Sequence, residues 1–453
     1  MENNIILAGG QGKRMKTNMP KALCNVIGEP MLEWVLTACE NAELDDICVV
    51  KGYEGQQIED YLAQRKSKAD ICTVMQEERL GTGHAVMQAA DFLKAHAEGN
   101  TLILCGDAPF IDAETIKGAL ELHTEKDCGV TVVTSRVENP TGYGRIIRTE
   151  NGISGIVEHK DCTPMQLAIT EINSGCYWFK TADLLEVLFD IKPENAQGEY
   201  CIELLIAKGK KADAFISANP HVALGANDRR GLLALNDIAR YEIIGKWLDE
   251  GIEFCCTDGV SIGNNVTIGH GTKIHSGVIL RGNTTIGENC NIGNNCIIEN
   301  TTVGNGVNLN NVQAYESVIE DDVKIGPYVQ LRPNSHIKKG AKIGDFVEIK
   351  NSTIGEYTAV AHLTYIGDSD VGSNVNFGCG VVTVNYNGDK KFRTVIEDNA
   401  FIGCNTNLVA PVKVKKNAFV AAGSTITDDV DENALAIARS RQTIKKNWHK
   451  KEK

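Results

Sequence analysis

Aromatic residues are scarce in this 453-residue chain, at 6% of the sequence. No apolar run is long enough to span a bilayer. The first residues, Met1-Glu2-Asn3-Asn4-Ile5, also lack the basic and apolar parts of a secretory signal. We therefore expect a chain that is not inserted into a membrane, and the few aromatic rings favour an architecture with a narrow interior.

A surplus of basic residues is missing as well. The chain has 46 lysines and arginines against 59 aspartates and glutamates, for a net charge of −13. This balance argues against nucleic-acid binding. The 15 cysteines are an odd number and contain no Cys-x-x-Cys pair, so they indicate neither a zinc site nor a disulfide framework. A cytoplasmic location is the prediction that follows, because the cytosol keeps thiols reduced.

What the chain has in abundance is a six-residue repeat between Val260 and Val430. Small aliphatic residues recur at every sixth position in three runs: Ile262, Ile268, Ile274, Leu280, Ile286, Ile292 and Ile298; Ile319, Ile325, Leu331, Ile337, Ile343 and Ile349; and Ile396, Ile402, Leu408, Val414, Val420 and Ile426. Helices and strands repeat at about 3.6 and 2 residues, so neither explains this period. The pattern predicts a parallel β-helix whose core is filled by the aliphatic side chains. Interruptions fall at 300–318, 351–377 and 383–394, and the last is predicted to be a loop that leaves the coil.

The first half alternates apolar segments with helical patterns. Buried strands are predicted at 5–7, 47–50, 102–104 and 130–133, and helices at 31–39 and 85–96. This alternation is typical of a doubly wound α/β sheet that binds ligands at the carboxyl ends of its strands. An amphipathic run from Asp228 to Gly251 predicts one long helix between the two halves.

A glycine-rich stretch, residues 7–15, follows the first predicted strand. Backbone N–H groups in such a loop can close on phosphates, and Arg14 and Lys21 add positive charge. The spacing is neither that of Rossmann nor that of Walker motifs, and a tight strand-to-helix turn explains the stretch alone equally well. Asp107, at the end of a buried strand, could hold Mg²⁺, although a lone aspartate there is more often a helix cap.

The repeat region carries polar residues that a bare scaffold would not need. His362 is the natural general base, because histidine titrates near neutrality. Around it in the sequence, four polar residues could clamp a sugar phosphate: Arg332, Lys350, Tyr365 and Asn376. Acyl transfer from a thioester to an amine needs such groups and no metal. The alternative is that the coils serve only for oligomerisation.

The string LAGGQGKRM (7–15) followed by PKAL (20–23) resembles the sugar-nucleotide pyrophosphorylases, and LCGDAP (104–109) agrees with them. From Ile5 to about Arg441 the chain resembles the bacterial bifunctional glucosamine-1-phosphate acetyltransferases and N-acetylglucosamine-1-phosphate uridyltransferases. The motifs that carry this resemblance are NPTGYGR (139–145), GIVEHKD (155–161), NAQGEY (195–200), LRP (331–333), AHLTYIGD (361–368), NYNG (385–388), LVAPV (408–412) and ALAIAR (434–439).

The resemblance implies two sets of site residues. In the first half it implies catalytic roles for Arg14 and Lys21, and Mg²⁺ on Asp107 and Asn227. The implied contacts of the nucleotide and of UDP-N-acetylglucosamine are Leu7, Ala8, Gly9, Gly10, Lys21, Gln76, Gly81, Thr82, Gly106, Asp107, Gly142, Glu158, Asn173 and Asn227. In the second half it implies His362 as catalytic base, and the sugar phosphate on Arg332, Lys350, Tyr365 and Asn376. The implied acetyl-CoA contacts are Cys379, Asn385, Tyr386, Cys404, Ala422 and Arg439. Cys379 stands where the family usually has Ala, and Cys404 where Ser is usual.

The predicted fold class is α/β. We expect a doubly wound Rossmann-like nucleotidyltransferase domain at 1–227, a linker helix at 228–251, and a left-handed parallel β-helix with a C-terminal tail at 252–453. The expected enzyme acetylates glucosamine 1-phosphate with acetyl-CoA and then joins the product to UMP from UTP. It yields UDP-N-acetylglucosamine, a precursor for the cell wall and its peptidoglycan. A homotrimer is implied too.

Two rival interpretations predict different residues. A plain nucleotidyltransferase with a structural solenoid would not need His362 or coenzyme A. A non-catalytic assembly subunit would have lost Asp107, Lys21 or Arg14, and all three are present.

Overall fold

The computed structural model describes residues 2–150, 152–191, 199–446 and 448–449. The chain divides into two compact units, residues 1–239 and 240–453. The division lies within the helix Arg229–Asp249. The predicted domain limits, 1–227, 228–251 and 252–453, stay predictions. Residues 195–198 of the NAQGEY motif lie outside the described residues.

The first unit is built on a nine-stranded mixed sheet. Seven of its strands lie side by side in the order Ala212–Ile216, Val130–Arg136, Glu171–Lys180, Asn100–Cys105, Glu2–Leu7, Asp46–Lys51 and Asp70–Met75. All neighbours pair in parallel except Glu171–Lys180, which runs antiparallel to both of its neighbours. The hairpin of Arg145–Thr149 and Gly152–Val157 joins that strand. The predicted α/β class is confirmed, and the antiparallel strand is a feature that the strand–helix alternation did not reveal.

Helices cover both faces of this sheet. The α-helices of the first unit are Met31–Asn41, Gly55–Gln64, Thr82–Gln88, Ala90–Ala95, Ala113–Glu125, Pro164–Leu167, Thr181–Leu188 and Glu199–Ala207, with short 3₁₀ helices at Lys13–Met15, Lys21–Leu23 and His159–Asp161. A two-stranded ribbon pairs Asn25–Val26 with Glu29–Pro30. The helix predicted at 85–96 is two helices, separated at Ala89.

The burial of neighbouring residues explains why the central strands are continuous apolar runs. Ile5 and Ile6 are both fully buried, yet each packs in a different core cluster on its own side of the sheet. Successive side chains of a strand point to opposite faces, so a sheet covered on both faces needs apolar residues at every position.

The second unit is a left-handed β-helix made of three parallel sheets. The first sheet stacks Glu253–Phe254, Lys273–Ile274, Asn291–Ile292, Asn308–Leu309, Lys324–Ile325, Lys342–Asp345, Ala359–His362, Asn376–Phe377, Phe401–Ile402, Phe419–Val420 and Leu435–Ala436. The second stacks Ser261–Ile262, Ile279–Arg281, Ile297–Glu299, Val312–Tyr315, Val329–Leu331, Glu348–Lys350, Tyr365–Gly367, Val382–Val384, Asn407–Val409 and Thr425–Ile426. The third stacks Thr267–Ile268, Thr285–Ile286, Thr302–Val303, Val318–Ile319, His336–Ile337, Thr353–Ile354, Ser369–Val371, Thr394–Ile396 and Val412–Val414. The aliphatic residues of the repeat form one continuous buried core.

At two of the three predicted interruptions the six-residue register shifts by one residue, but the coil continues. Between 298 and 319 the inward positions are Val303, Leu309 and Ala314, all fully or almost fully buried. The sides that end at Val303, Ala314 and Ile319 have five residues instead of six. The same shortening occurs before Ile354 and Val371. Only the segment after Val384 leaves the coil, which returns at Thr394. The prediction of a loop there is confirmed.

The corners of the coils hold residues with left-handed backbone. Asparagine is frequent there, and Asn399, Asn417 and Asn433 form a ladder through side-chain hydrogen bonds of 3.1 and 3.0 Å. Asparagine tolerates this conformation better than other residues with a Cβ. Tyr328, Phe346 and Leu363 adopt it as well, with φ of 58°, 58° and 45°, on one corner of three consecutive coils. We call these three residues the apolar corner row.

Among the described residues, no helix combines the length and the apolar character needed to cross a membrane.

Replacing Ile366 by alanine tests the solenoid core. Ile366 is fully buried in the second sheet, so its truncation should leave a cavity and cost about 2–5 kcal/mol of unfolding free energy. The measurement is the denaturant midpoint of the β-sheet circular dichroism signal. Val318→Ala is the matched control because Val318 is 43% exposed, and it should change stability by about 0.5 kcal/mol at most. Equal losses in the two variants would contradict the core assignment.

Candidate active sites

The glycine-rich loop of the first unit folds back onto Lys21. The backbone N–H of Met15 donates to the carbonyl of Gly12 at 2.7 Å, and that of Lys21 donates to Gly10 at 3.3 Å. Gly12 has φ of 59°, and a Cβ there would lie 3.1 Å from the Cβ of Lys21. A side chain on Gly12 would therefore be both strained and crowded. Gly10 has open space around its Cα, so its backbone can be approached by a ligand.

Lys21 brings together two residues from distant parts of the chain. Its ammonium forms an ion pair with Asp107 and donates a hydrogen bond of 2.7 Å to Oδ1 of Asn227. Asp107 follows the strand Asn100–Cys105, and Gly225 approaches it closely, since a Cβ on Gly225 would lie 3.0 Å from the Asp107 carbonyl. The Lys21 ammonium and the side-chain oxygens of Asp107 and Asn227 thus come together at the carboxyl end of the central strand.

These residues open into a polar cleft of about 760 Å³. Its walls are Lys21, Cys105, Asp107, Ala108, Thr141, Gly142, Tyr143, Ser174, Ala223, Gly225 and Asn227. Glu158 and Asn173 lie next to the loop that carries Gly142: Asn173 N–H donates to Gly144 at 2.9 Å, and a Cβ on Gly144 would lie 3.1 Å from Oε1 of Glu158. The three residues predicted to contact the sugar therefore belong to adjoining segments.

Gln76 and Gly81 lie beside the glycine-rich loop, next to Gly9. The buried amide of Gln76 donates to the Gly81 carbonyl at 3.1 Å, and its oxygen lies 3.0 Å from where a Cβ on Gly9 would be. Leu7 and Thr82 line an apolar pocket next to the polar cleft. The remaining loop residues, Ala8 and Gly106, are fixed by backbone hydrogen bonds to Val50 and Leu7.

Arg14 lies near Asp228, the residue after Asn227. Within the described residues it makes no hydrogen bond or ion pair with Lys21, Asp107 or Asn227. The pKa of Asp228 is lowered by a hydrogen bond from the Gly231 N–H and, among smaller causes, by the charge of Arg14. Arg14 therefore lies near the end of this unit's last loop.

In the second unit, charged residues gather on the outside of the second sheet. Arg332 pairs with Glu348 at 2.8 Å, and Nζ of Lys350 lies 3.9 Å from Asp368. Asn385, at the start of the loop that leaves the coil, donates to Asp368 and, at 3.5 Å, to the Tyr365 hydroxyl. Three predicted phosphate ligands, Arg332, Lys350 and Tyr365, are thus brought together, with Asn385 among them.

Two residues of this group were missed by sequence reasoning. Lys391, from the same loop, lies close enough to Lys350 that its ammonium is the first cause that lowers the pKa of Lys350, followed by burial. Asp368 is buried, which would raise its pKa, but hydrogen bonds from Asn351 and Asn385 and the charges of Lys350 and Lys391 outweigh burial and lower it. Two ammonium groups this close indicate a place where an anion would be stabilised. The only signal in the sequence was the pair Lys390-Lys391 in the predicted loop.

The predicted base and three of the predicted coenzyme contacts lie in a different place, along one corner of the coil. Asp345, His362, Cys379, Cys404 and Ala422 occupy the same position on five consecutive coils, as the backbone hydrogen bonds of the residues after them demonstrate. We call these five residues the corner column. Its carboxylate, Oδ2 of Asp345, lies 4.0 Å from Nδ1 of His362.

The other predicted contacts are more scattered. The Arg439 side chain passes 3.8 Å from where a Cβ on Gly423 would lie, next to the corner column. Asn376 stands on the first sheet, and Tyr386 is exposed in the loop with its hydroxyl donating to Gly388. Among the described residues, no hydrogen bond or ion pair connects the corner column or Asn376 with the Arg332 group.

Two family models match the two units. The model described as nucleotidyl transferase matches residues 3–252, and that described as bacterial transferase hexapeptide (six repeats) matches 265–300, 316–351 and 393–428. By fold and by sites, the chain is a nucleotidyltransferase unit followed by a hexapeptide-repeat transferase unit.

Curated relatives match almost the whole chain. The chain is 44% identical to the bifunctional protein GlmU of Acetivibrio thermocellus over 98% of this chain and 96% of the relative. It is 45% identical to that of Clostridium perfringens over 99% and 98%, and 44% identical to that of Clostridium botulinum over 98% and 97%. The chain belongs to the GlmU family of bifunctional proteins, which confirms the family predicted from its motifs.

Replacing Lys391 by alanine tests the contact between the two lysines. A neighbouring ammonium group disfavours the charged form of Lys350, so its removal should raise the pKa of Lys350. The measurement is the pH dependence of Lys350 modification by an amine-reactive reagent, followed by peptide mass spectrometry. The midpoint should move to higher pH in Lys391→Ala. Lys390→Ala is the control, and an equal shift there would contradict the contact.

Proposed function

We propose that the two sites catalyse consecutive steps in the synthesis of UDP-N-acetylglucosamine. The second unit transfers an acetyl group from acetyl-CoA to glucosamine 1-phosphate. The first unit transfers a uridylyl group from UTP to the N-acetylglucosamine 1-phosphate so formed. The observation that carries this proposal is that a chain of this family brings a separate cluster of charged and polar residues together in each unit.

In the acetyltransferase step, the amine of glucosamine 1-phosphate attacks the thioester carbonyl of acetyl-CoA. His362 accepts the proton that the amine loses, and coenzyme A leaves as a thiol. Oδ2 of Asp345 lies 4.0 Å from Nδ1 of His362, on the same corner of the coil. Acetyl-CoA lies along the corner column, with contacts to Cys379, Asn385, Tyr386, Cys404, Ala422 and Arg439.

The sugar phosphate is held by the positive group on the second sheet. Arg332 and Lys350 supply charge, Tyr365 supplies a hydroxyl donor, and Asn376 supplies an amide. We add Lys391 to this set because its ammonium is close enough to Lys350 to lower the pKa of that residue. A phosphate between them would relieve the repulsion of the two lysines.

In the uridyltransferase step, a phosphate oxygen of N-acetylglucosamine 1-phosphate attacks the α-phosphorus of UTP. The bond between the α- and β-phosphates breaks, and pyrophosphate leaves. Lys21 and Arg14 stabilise the charge on the reacting phosphates. Gln76, Gly81 and the glycine-rich loop hold the nucleotide, and Gly142, Glu158 and Asn173 hold the sugar.

Asp107 and Asn227 fit a Mg²⁺ site. Their oxygens already converge on one cation, the Lys21 ammonium, and carboxylate and amide oxygens are ligands that Mg²⁺ accepts. When bound, the ion would neutralise negative charge on the triphosphate. Lys21 would then be free to contact a phosphate, since the ion would take over its two oxygen partners.

A homotrimer completes the acetyltransferase site. The corner column and the Arg332 group stand on different sides of one coil, so a second copy supplies the face that a single chain lacks. The apolar corner row supports the same conclusion, because Tyr328, Phe346 and Leu363 are 57–60% exposed and hold strained left-handed backbone. We propose that this row contacts neighbouring copies, and that the enzyme works in the cytoplasm.

Two variants should separate the two activities. His362→Ala should lower the release of free thiol from acetyl-CoA by about 10²–10⁴-fold and leave the uridyltransferase rate unchanged. Asp107→Ala should lower the formation of UDP-sugar from N-acetylglucosamine 1-phosphate by about 10²-fold or more and leave thiol release unchanged. Removing Mg²⁺ with a chelator should reproduce the second result in the wild type.

Matched controls are His336→Ala and Asp91→Ala, at a histidine paired with Glu320 and an exposed aspartate. Both controls should keep both activities. If the wild type forms UDP-sugar but never releases thiol, the solenoid is a scaffold and the acetyltransferase proposal is wrong.

Introducing a charge into the apolar corner row tests the trimer. Phe346→Glu places a carboxylate where Phe346 stacks on Tyr328, with ring centroids 5.4 Å apart, and it should convert the trimer to monomers in sedimentation velocity. Tyr357→Glu is the control, because Tyr357 is equally exposed and has a similar φ of 56° at another corner. A trimer that survives Phe346→Glu would contradict the proposed contact.

A further inference from the structure

Two thiols lie one above the other in the corner column. Phe377 pairs in parallel with Ile402, and the N–H of Asn405 donates to the Cys379 carbonyl at 2.7 Å. Cys379 and Cys404 therefore occupy equivalent positions on consecutive coils. Neighbouring strands are about 4.8 Å apart, which falls within the range of about 4.4–6.8 Å between the Cα atoms of disulfide-bonded cysteines.

The Cys404 side chain points towards the coil of Cys379. Its Sγ lies 2.9 Å from where a Cβ on Gly378 would be, directly before Cys379. A Cβ at 378 would lie even closer to the Cys404 backbone, 2.4 Å from its N, so the glycine permits the two coils to approach this closely. Cys404 is exposed and Cys379 is half-buried, so both thiols are open to a reagent that enters from solvent.

The same column holds the proposed base one coil away from Cys379. Gly380 N–H donates to the His362 carbonyl at 3.4 Å, which fixes that spacing. If acetyl-CoA reacts at His362, the sulfur of the coenzyme must come to the same stretch of the corner. The placement of the coenzyme sulfur at this corner rests on the proposed acetyltransferase function.

We propose that Cys379 and Cys404 form a thiol–disulfide exchange site for coenzyme A disulfide. The coenzyme's own binding contacts deliver its disulfide to the two thiols, which gives it an advantage over other small disulfides. A single cysteine here would stop at a mixed disulfide, whereas the stacked pair continues to an internal disulfide.

Coenzyme A disulfide is itself the oxidant, so the exchange needs no other one. The Cys404 thiolate attacks one sulfur of coenzyme A disulfide, the bond between the two coenzyme sulfurs breaks, and one coenzyme A leaves as a thiolate. The Cys379 thiolate then attacks the Cys404 sulfur, forms the Cys379–Cys404 disulfide and expels the second coenzyme A. Two electrons and two protons pass from the cysteine thiols to the two coenzyme A molecules.

The test exposes the reduced full chain to coenzyme A disulfide or to glutathione disulfide at equal concentration. Intact mass and non-reducing peptide maps follow the products. We expect a Cys379–Cys404 cross-link that forms about tenfold faster or more with coenzyme A disulfide, because binding raises its local concentration. Desulfo-coenzyme A, which lacks the thiol, should slow the reaction. Cys379→Ala should instead accumulate coenzyme A bound to Cys404.

The control is the double variant Cys255→Ser/Cys256→Ser, which removes two other exposed thiols of the same unit. It should form the cross-link at the wild-type rate. The proposal is overturned if Cys379 and Cys404 stay reduced, if glutathione disulfide reacts equally fast, or if the control loses the reaction.

A parallel assay of thiol release from acetyl-CoA by the reduced wild type separates the two proposals. Activity without preferential cross-linking would reject the exchange site alone. No thiol release would reject the acetyltransferase function itself.

Discussion

The parallel stacking of coils in register is the constraint on which the second unit depends. Every inward aliphatic side chain rests on the one a coil earlier. A residue and its equivalent one coil later are 16 to 18 positions apart in the sequence, or 25 where the loop intervenes, and lie about 4.8 Å apart in space. Residues at equivalent positions of successive coils therefore lie above one another in columns. Charges, thiols and aromatic rings at equivalent positions become neighbours. In this way His362 lies beside Asp345, and the ring of Tyr328 stacks on that of Phe346.

In the first unit, the candidate site lies at the carboxyl ends of parallel strands, where open α/β sheets bind their ligands. The strands Glu2–Leu7 and Asn100–Cys105 are neighbours in the sheet, so the segments that follow them meet at one edge. The glycine-rich loop and Asp107 are those segments. Lys21 connects them with Asn227, more than 200 residues later. The ammonium is thus held between a carboxylate and an amide oxygen at this edge of the sheet.

Much of this could be predicted because the determining signals are periodic or local. A six-residue period specifies the solenoid, and the strand–helix alternation specifies the sheet. What sequence reasoning missed depends on contacts without a period. Where one side of a coil has five residues instead of six, Val303 and Val371 stay buried. In the sequence, the missing residue looks like a break in the six-residue repeat. Lys391 reaches Lys350 only because its loop folds back against the coil, and no spacing predicts that path.

The positions of the proposed acetyltransferase residues are the reason for proposing an oligomer. The Arg332 group and the corner column lie on different sides. A second copy placed against the apolar corner row would add a wall beside His362, and burial of the exposed rings would offset the cost of their left-handed backbone. Assembly and catalysis would then share one corner of the coil.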